Sequence, residues 1–274
     1  MRSVKQPVVT SLIISTYNRP DALRLCLESI GRQTQMPSEV VVADDGSEDS
    51  TARLIESFSK SFPVAIRHIW HEDKGFRLAA IRNRAIAAAK GDYIIQIDGD
   101  VVLHPAFIED HLAVCRRGCY VKGSRIRLNP EFTQKVTDGG SFPKIYPWSA
   151  GILKDREKSV RLGLPGKLLT RHYKPNRSSA IGCNMAFWKS DFIKVNGYDE
   201  HFEGWGCEDN DLSRRFDALG LKNFKLFRIG LVYHLWHREA DKSNYDRARD
   251  YMASRPEGEY SCIKGINQYL DDGK

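Results

Sequence analysis

Two carboxylates flank a glycine in Asp98-Gly99-Asp100. Such a pair can approach one divalent cation, directly or through water, while the glycine lets the chain turn tightly. Oxygen ligands with open positions suit Mg2+ or Mn2+ carrying a substrate diphosphate. A second constellation is Gly204-Trp205-Gly206-Cys207-Glu208-Asp209-Asn210-Asp211. A tryptophan between glycines presents an aromatic face that can stack on a sugar ring. The three acids after it lead into a helix, where the first turn favours ionised carboxylates, as a general base requires. Capping alone needs one acid, not three. His234 ends an apolar run in Val232-Tyr233-His234-Leu235-Trp236-His237, and a neutral imidazole there is a candidate metal ligand. His71 and Arg77 flank Lys74-Gly75-Phe76, and Arg77 can hold a phosphate bidentately.

These residues need strands and helices to position them, and the first half of the chain supplies a regular alternation. Val8–Ser15 reads as a buried strand, Pro20 opens a helix, and Glu39–Ala43 is a second strand ended by Asp44-Asp45-Gly46-Ser47. A helix around Ser50–Lys60, a strand at Val64–Ile69, a helix carrying Leu78, Ile81, Ala85 and Ala88, and a strand at Tyr93–Ile97 follow. Repeated units of this length imply an α/β fold with a parallel sheet and right-handed crossovers. Such sheets bind ligands at the carboxyl ends of their strands. The clusters Ser15-Thr16-Tyr17-Asn18-Arg19, Asp44-Asp45 and Asp98-Gly99-Asp100 all fall there. No GxGxxG or GxxxxGK[ST] occurs, so neither a dinucleotide fingerprint nor a P-loop explains that rim. From Asn129 to Ser179 prolines and Gly139-Gly140 indicate loops and short elements. Regularity returns at Ile181–Trp188 and in a helix near Asp209–Leu219, and the tail from Lys242 is polar and partly helical.

The composition bounds the rest. With 274 residues, 41% hydrophobic and 28% charged, the chain suits one large α/β domain and is not globally disordered. Apolar runs fall far short of the roughly 18 residues of a spanning helix, and the start lacks a signal-peptide pattern, so the expectation is a cytoplasmic protein. Six cysteines without a CxxC pair argue against zinc and fit reduced thiols. The net charge of +7 is concentrated: Lys154 to Arg177 holds eight basic residues against Asp155 and Glu157, a local +6. That stretch suggests peripheral contact with an anionic membrane at 154–177, or with a phosphate-bearing substrate. Nucleic acid is not expected, since no recognition motif accompanies the charge.

Taken together, the STYN start, DDGS, KGFRxAxxRN, DGD, GCNMAFW, GWGCEDNDL and YHLWH resemble a family 2 glycosyltransferase of the GT-A fold across residues 8 to 240. The second half is similar to the galactosyltransferase-type segment of β-1,4-galactosyltransferases and bacterial chondroitin polymerase. The resemblance implies a single Rossmann-like domain, a mostly parallel central sheet flanked by helices with an irregular acceptor-side region. Residues 1–128 would be the nucleotide-sugar-binding half, 129–180 a variable acceptor or lid region, 181–240 the galactosyltransferase-type catalytic segment and 241–274 a tail. It further implies that Ser15, Thr16, Tyr17 and Arg19 line a uridine pocket with Asp45 near the uracil. His71 and Arg77 would meet the donor's ribose and diphosphate. Asp100 would be the most direct ligand of Mn2+ or Mg2+, with Asp98 beside it and His234 the matching histidine, His237 being the alternative. Trp205 would shape the sugar platform, Glu208 would hold a donor or acceptor sugar, and Asp209 would be the catalytic base.

The expected reaction is a single inverting displacement. A UDP-sugar, galactose-type favoured, would give up its hexose or N-acetylhexosamine to a hydroxyl of a glycan or lipid-linked acceptor. Surface polysaccharide synthesis, such as capsule or lipopolysaccharide at the inner membrane face, fits that chemistry. Two alternatives are a sugar nucleotidyltransferase, which usually has a glycine-rich basic first loop, and a non-catalytic carbohydrate-binding scaffold, which would need neither a metal pair nor a base.

Overall fold

The structure, a computed structural model, describes residues 8–172, 182–238 and 241–270. Its first half runs β1 (Thr10–Thr16), α1 (Pro20–Ile30), β2 (Glu39–Asp44), α2 (Asp49–Ser59), β3 (Ile66–Trp70), α3 (Leu78–Ala88) and β4 (Tyr93–Asp98). After the Gly99–Asp100 turn come β5 (Val101–Leu103), α4 (Phe107–Val114), β6 (Cys119–Lys122) and β7 (Ser124–Leu128). Next are α5 (Pro130–Thr137), β8 (Ile152–Lys154), a 3-10 turn at Arg156–Lys158 and α6 (Gly163–His172). The remainder is β9 (Asn184–Trp188), α7 (Lys189–Lys194), α8 (Glu208–Ala218), β10 (Lys222–Lys225), β11 (Leu231–His234), α9 (Tyr245–Ser254) and a 3-10 turn at Ile266–Tyr269.

Among the described residues these strands form two sheets. The larger has the order β10-β6-β9-β4-β1-β2-β3. Its pairings are parallel except at β9, which runs antiparallel to both β4 and β6. Both faces are covered, which is why its central strands are unbroken apolar runs. Leu12, Ile14, Val40, Val42, Ile95 and Ile97 join Leu23, Leu27 and Ile30 of α1 in one layer. Ile13, Val41 and Ile94 join Ile81 and Ala85 of α3 in the other. Each of these buried Leu, Ile and Val side chains contributes about 1.5–3 kcal/mol of transfer free energy. The mostly parallel, helix-flanked sheet expected of the sequence is therefore present, with element ends moved by one to three residues.

The smaller sheet, β5-β11-β7-β8, was not legible in the sequence. It packs on the far side of α1: Val102, Ile126, Leu128, Leu231 and Tyr233 share a core with Ala22 and Leu25. Helix α1 is thus clasped between two sheets, which accounts for burial on both of its apolar sides. The tail is also structural. Ile266 is fully buried in the α3 layer, and Tyr251 and Arg255 of the α9 region bond the buried Asp199. No helix of the described residues is long and apolar enough to cross a membrane.

Candidate active site

The carboxyl ends of β1, β2 and β4 form one rim, and the smaller sheet delivers two histidines to it. Val101 of β5 pairs with His234 of β11, and the Leu235 N–H donates to the Asp100 carbonyl at 2.9 Å. His234 Nε2 therefore lies 3.6 Å from Asp100 Oδ1, and His237 Nε2 lies 3.3 Å from Asp100 Oδ2. Ligand atoms of these three residues all fall within 4.8 Å of one another. Asp100 Oδ1 is buried without a hydrogen-bond partner. Burial lowers the His234 pKa against the pull of Asp100, which favours the neutral, ligating imidazole. An orphaned carboxylate oxygen facing two imidazoles fits a divalent cation. Arg19 NH1 stands 3.5 Å from Asp100 Oδ2.

A second cluster is built around Arg82 of α3, whose side chain is only 1% exposed. Its Nε donates to Ser15 Oγ at 3.0 Å, NH2 to Asp98 Oδ1 at 3.0 Å, and NH1 to Asp209 Oδ1 at 3.1 Å. Glu208 Oε1 lies 3.5 Å from NH1. Burial works against the charge of Arg82, but Tyr198, Asp209, Asp98 and Glu208 hold its proton in place. Burial is also the main cause that pushes Glu208 up to about 7, with the Asp209 charge adding and Arg82 opposing. Asp98 is raised for the same primary reason, again against Arg82.

Asp209 sits in the first turn of α8 and is held by three donors: Arg82, the Tyr198 hydroxyl at 3.0 Å and the Gly182 N–H at 2.7 Å. Tyr198 is itself fixed by Asn83, which exchanges 2.8 Å hydrogen bonds with its backbone N–H and carbonyl. A Cβ at Gly182 would lie 2.6 Å from both Asp209 oxygens, so the glycine is what admits the carboxylate. Since a carboxylate offers about four acceptor directions, three donors leave Asp209 one, and its side chain is 21% exposed.

Two flanking groups complete the rim. Asp45 accepts from His71 Nε2 at 2.6 Å and from the Arg77 N–H at 2.9 Å. The Tyr17 hydroxyl donates to Asp73 at 2.8 Å. Thr16 is buried at the end of β1, and its carbonyl accepts the Asp45 N–H at 3.0 Å. Trp205 is 40% exposed beside a cleft of about 320 Å³ lined by Phe76, Arg77, Gly204 and Asn244 among others. Gly204 and Gly206 hold φ of +83° and +107°, and a Cβ on either would strike Asn244 or Tyr245. The Trp205 ring leans on Tyr245 with centroids 5.7 Å apart.

Comparison with known proteins identifies the family. The family model described as glycosyl transferase family 2 matches residues 11–195, more than half of the chain. The chain belongs to glycosyl transferase family 2. A second model, the N-terminal domain of galactosyltransferase, matches residues 167–238. The chain is 30% identical over 227 residues to validoxylamine A glucosyltransferase of Streptomyces hygroscopicus subsp. limoneus, covering 77% of this chain and 48% of that protein. It is 27% identical over 244 residues to chondroitin synthase of Escherichia coli, covering 82% and 34% respectively. The chain thus spans a third to a half of the length of these relatives. A solved structure of GalNAc-T7 with UDP, GalNAc and Mn2+ superposes with a TM-score of 0.62 at 14% identity. The superposition covers 98% of this chain and 57% of the GalNAc-T7 chain, and at 14% identity it shows the fold alone.

Within the family framework, the expected site residues fall into two groups on one rim. Asp100 and His234 come together, and His237 joins them rather than standing as an alternative to His234. Asp98, expected beside Asp100 on the metal, turns its carboxylate to Arg82 instead and belongs to the Asp209 group. The Arg77 guanidinium is bonded to the Glu72 carbonyl, so its backbone N–H is what reaches the rim. Arg82, Asn83, Tyr198 and Gly182 had no assigned role in the sequence reading. Their signal was an arginine and an asparagine in a helix, Leu78–Ala88, with few polar residues to make a solvent face. The basic stretch is also less free than its composition suggests. Arg161 pairs with Asp110 at 2.6 Å, Lys167 with Glu109 at 2.6 Å, and Lys158 with Asp155. Lys174 and Arg177 lie outside the described residues.

Proposed function

We propose that the chain is a metal-dependent, inverting glycosyltransferase that moves a hexose or N-acetylhexosamine from a UDP-sugar to a hydroxyl of a glycan or lipid-linked acceptor. The observation that carries this reading is the presence, on one strand-end rim, of a cation-type cluster (Asp100, His234, His237) and a separately held carboxylate (Asp209). A galactose-type donor is supported by the match of residues 167–238 to the galactosyltransferase model. UDP is supported by the GalNAc-T7 complex, whose fold this chain shares.

Asp100, His234 and His237 would hold the cation, which when bound supplies positive charge against the diphosphate leaving group. The chain's own residues do the rest. Arg82, Tyr198 and the Gly182 N–H fix Asp209, leaving its open acceptor direction for the acceptor hydroxyl. Asp209 takes that proton as the oxygen attacks the anomeric carbon from the face opposite the nucleotide, and one displacement inverts the configuration. Trp205 offers an apolar face to a sugar ring, and Glu208, raised by burial, can donate as well as accept a hydrogen bond.

Calorimetric titration with UDP, GDP and dTDP, with and without Mn2+, beside an Asp100→Ala variant tests the donor half. The expected result is UDP binding that requires both Mn2+ and Asp100. Equal binding of all three nucleotides without metal would remove the basis for the reading.

A further inference from the structure

Helix α6 turns an apolar face outward. Its inner side is defined by Gly166, where a Cβ would lie 2.6 Å from Ile229 Cγ2, and by Thr170, 1% exposed, whose hydroxyl accepts the Phe227 N–H at 2.9 Å. On the other side Leu164 is 69% exposed, Leu168 48% and Leu169 49%. An ordinary surface helix carries polar residues there. Phe227, in the segment on which α6 packs, is a further exposed apolar side chain.

Cations border this face. Residues 219–230 contain Lys222, Lys225 and Arg228 and no acid, and β10, which carries both lysines, is an edge strand of the larger sheet. Helix α6 has no acid either. The nearby acids Glu109 and Asp110 are occupied on the α4 side by Lys167 and Arg161. The charge left over is positive.

We propose that the outer face of α6, with Phe227 and the cations of residues 222–228, docks on an anionic lipid bilayer. Charge complementarity selects that occupant: leucines enter the headgroup boundary while lysine and arginine meet lipid phosphates. Three leucines and a phenylalanine offer far less than the roughly 800 Å² per partner of a standard protein interface, which disfavours a second copy. The inference does not rest on the donor-site reading.

The test is co-sedimentation of the full chain with phosphatidylcholine vesicles, with and without phosphatidylglycerol. Binding is expected only to the phosphatidylglycerol vesicles, and it should weaken as salt screens the headgroups. Leu164→Glu with Leu168→Glu, and separately Lys222→Glu with Lys225→Glu, should each weaken partition by roughly tenfold or more. Circular dichroism and the thermal midpoint check that both variants stay folded. Failure of the wild type to bind anionic vesicles, or unchanged binding by both variants, overturns the proposal. So does a concentration-dependent dimer in sedimentation equilibrium that the leucine variant abolishes, which would assign the face to a second copy.

Discussion

Substituting Gly182 by alanine disturbs Asp209 together with the Arg82 guanidinium that holds it. The Gly182 backbone is not in the left-handed region, so alanine adds a Cβ without backbone strain. That Cβ would lie 2.6 Å from each Asp209 oxygen, about 0.8 Å inside the 3.4 Å of ordinary contact. Arg82 and Tyr198 hold its Oδ1 at 3.1 and 3.0 Å, and the Cβ would also lie 2.7 Å from the Arg82 guanidinium, so carboxylate and guanidinium must shift together. A displacement approaching 1 Å at a reacting group costs on the order of 100-fold in rate. Gly182→Ala is therefore expected to lower kcat about 100-fold for the UDP-sugar that the wild type turns over best, read as UDP release. Mn2+-dependent UDP affinity should stay near wild type, since the Asp100 cluster is separate. A kcat within about threefold of wild type, with the protein folded, would refute the role given to this carboxylate.

Other predictions follow from the same contacts. Arg82→Met leaves Asp98, Glu208 and Asp209 without their shared cation, and a loss of about 3–5 kcal/mol should appear in denaturant unfolding; an unchanged midpoint contradicts this. Glu208 has a folded pKa near 7, above its unfolded value, so the folded state binds more protons between these values and its contribution to stability is lost as pH rises toward and through 7. The wild-type thermal midpoint should accordingly fall across that window relative to Glu208→Gln, and parallel curves would show that the carboxyl is not raised. His234 is 11% exposed and His237 40%, so His234→Ala should weaken Mn2+-dependent UDP binding more than His237→Ala does. The reverse order in calorimetry would reassign the principal histidine.

Much of the rim was legible in the sequence because a fully buried parallel strand is a continuous apolar run, and acids at its end have nowhere to go but the ligand edge. Tyr93–Asp98 followed by Gly99-Asp100 is the clearest case. Arg82 was harder to assign, since its meaning depends on Asp98, Glu208 and Asp209 arriving from two other elements. Of the smaller sheet only the apolar run that ends at His234 was legible: β5, β7 and β8 have three to five residues each, too few to show a period. Its pairing of Val101 with His234 joins residues far apart in the chain.

That pairing explains why one short motif serves two purposes. Gly99 donates to the Ser15 carbonyl at 2.7 Å, tying the turn to the end of β1. On one side of it Asp98 faces Arg82 and shares that cation with Asp209. On the other, Asp100 faces His234 and His237. The two carboxylates that the motif suggests as a single metal pair are divided by their partners, one toward Arg82 and Asp209 and one toward His234 and His237. The distance between the two clusters is then set by a single glycine turn, held by β1 on one side and by β11 through the Leu235 N–H on the other.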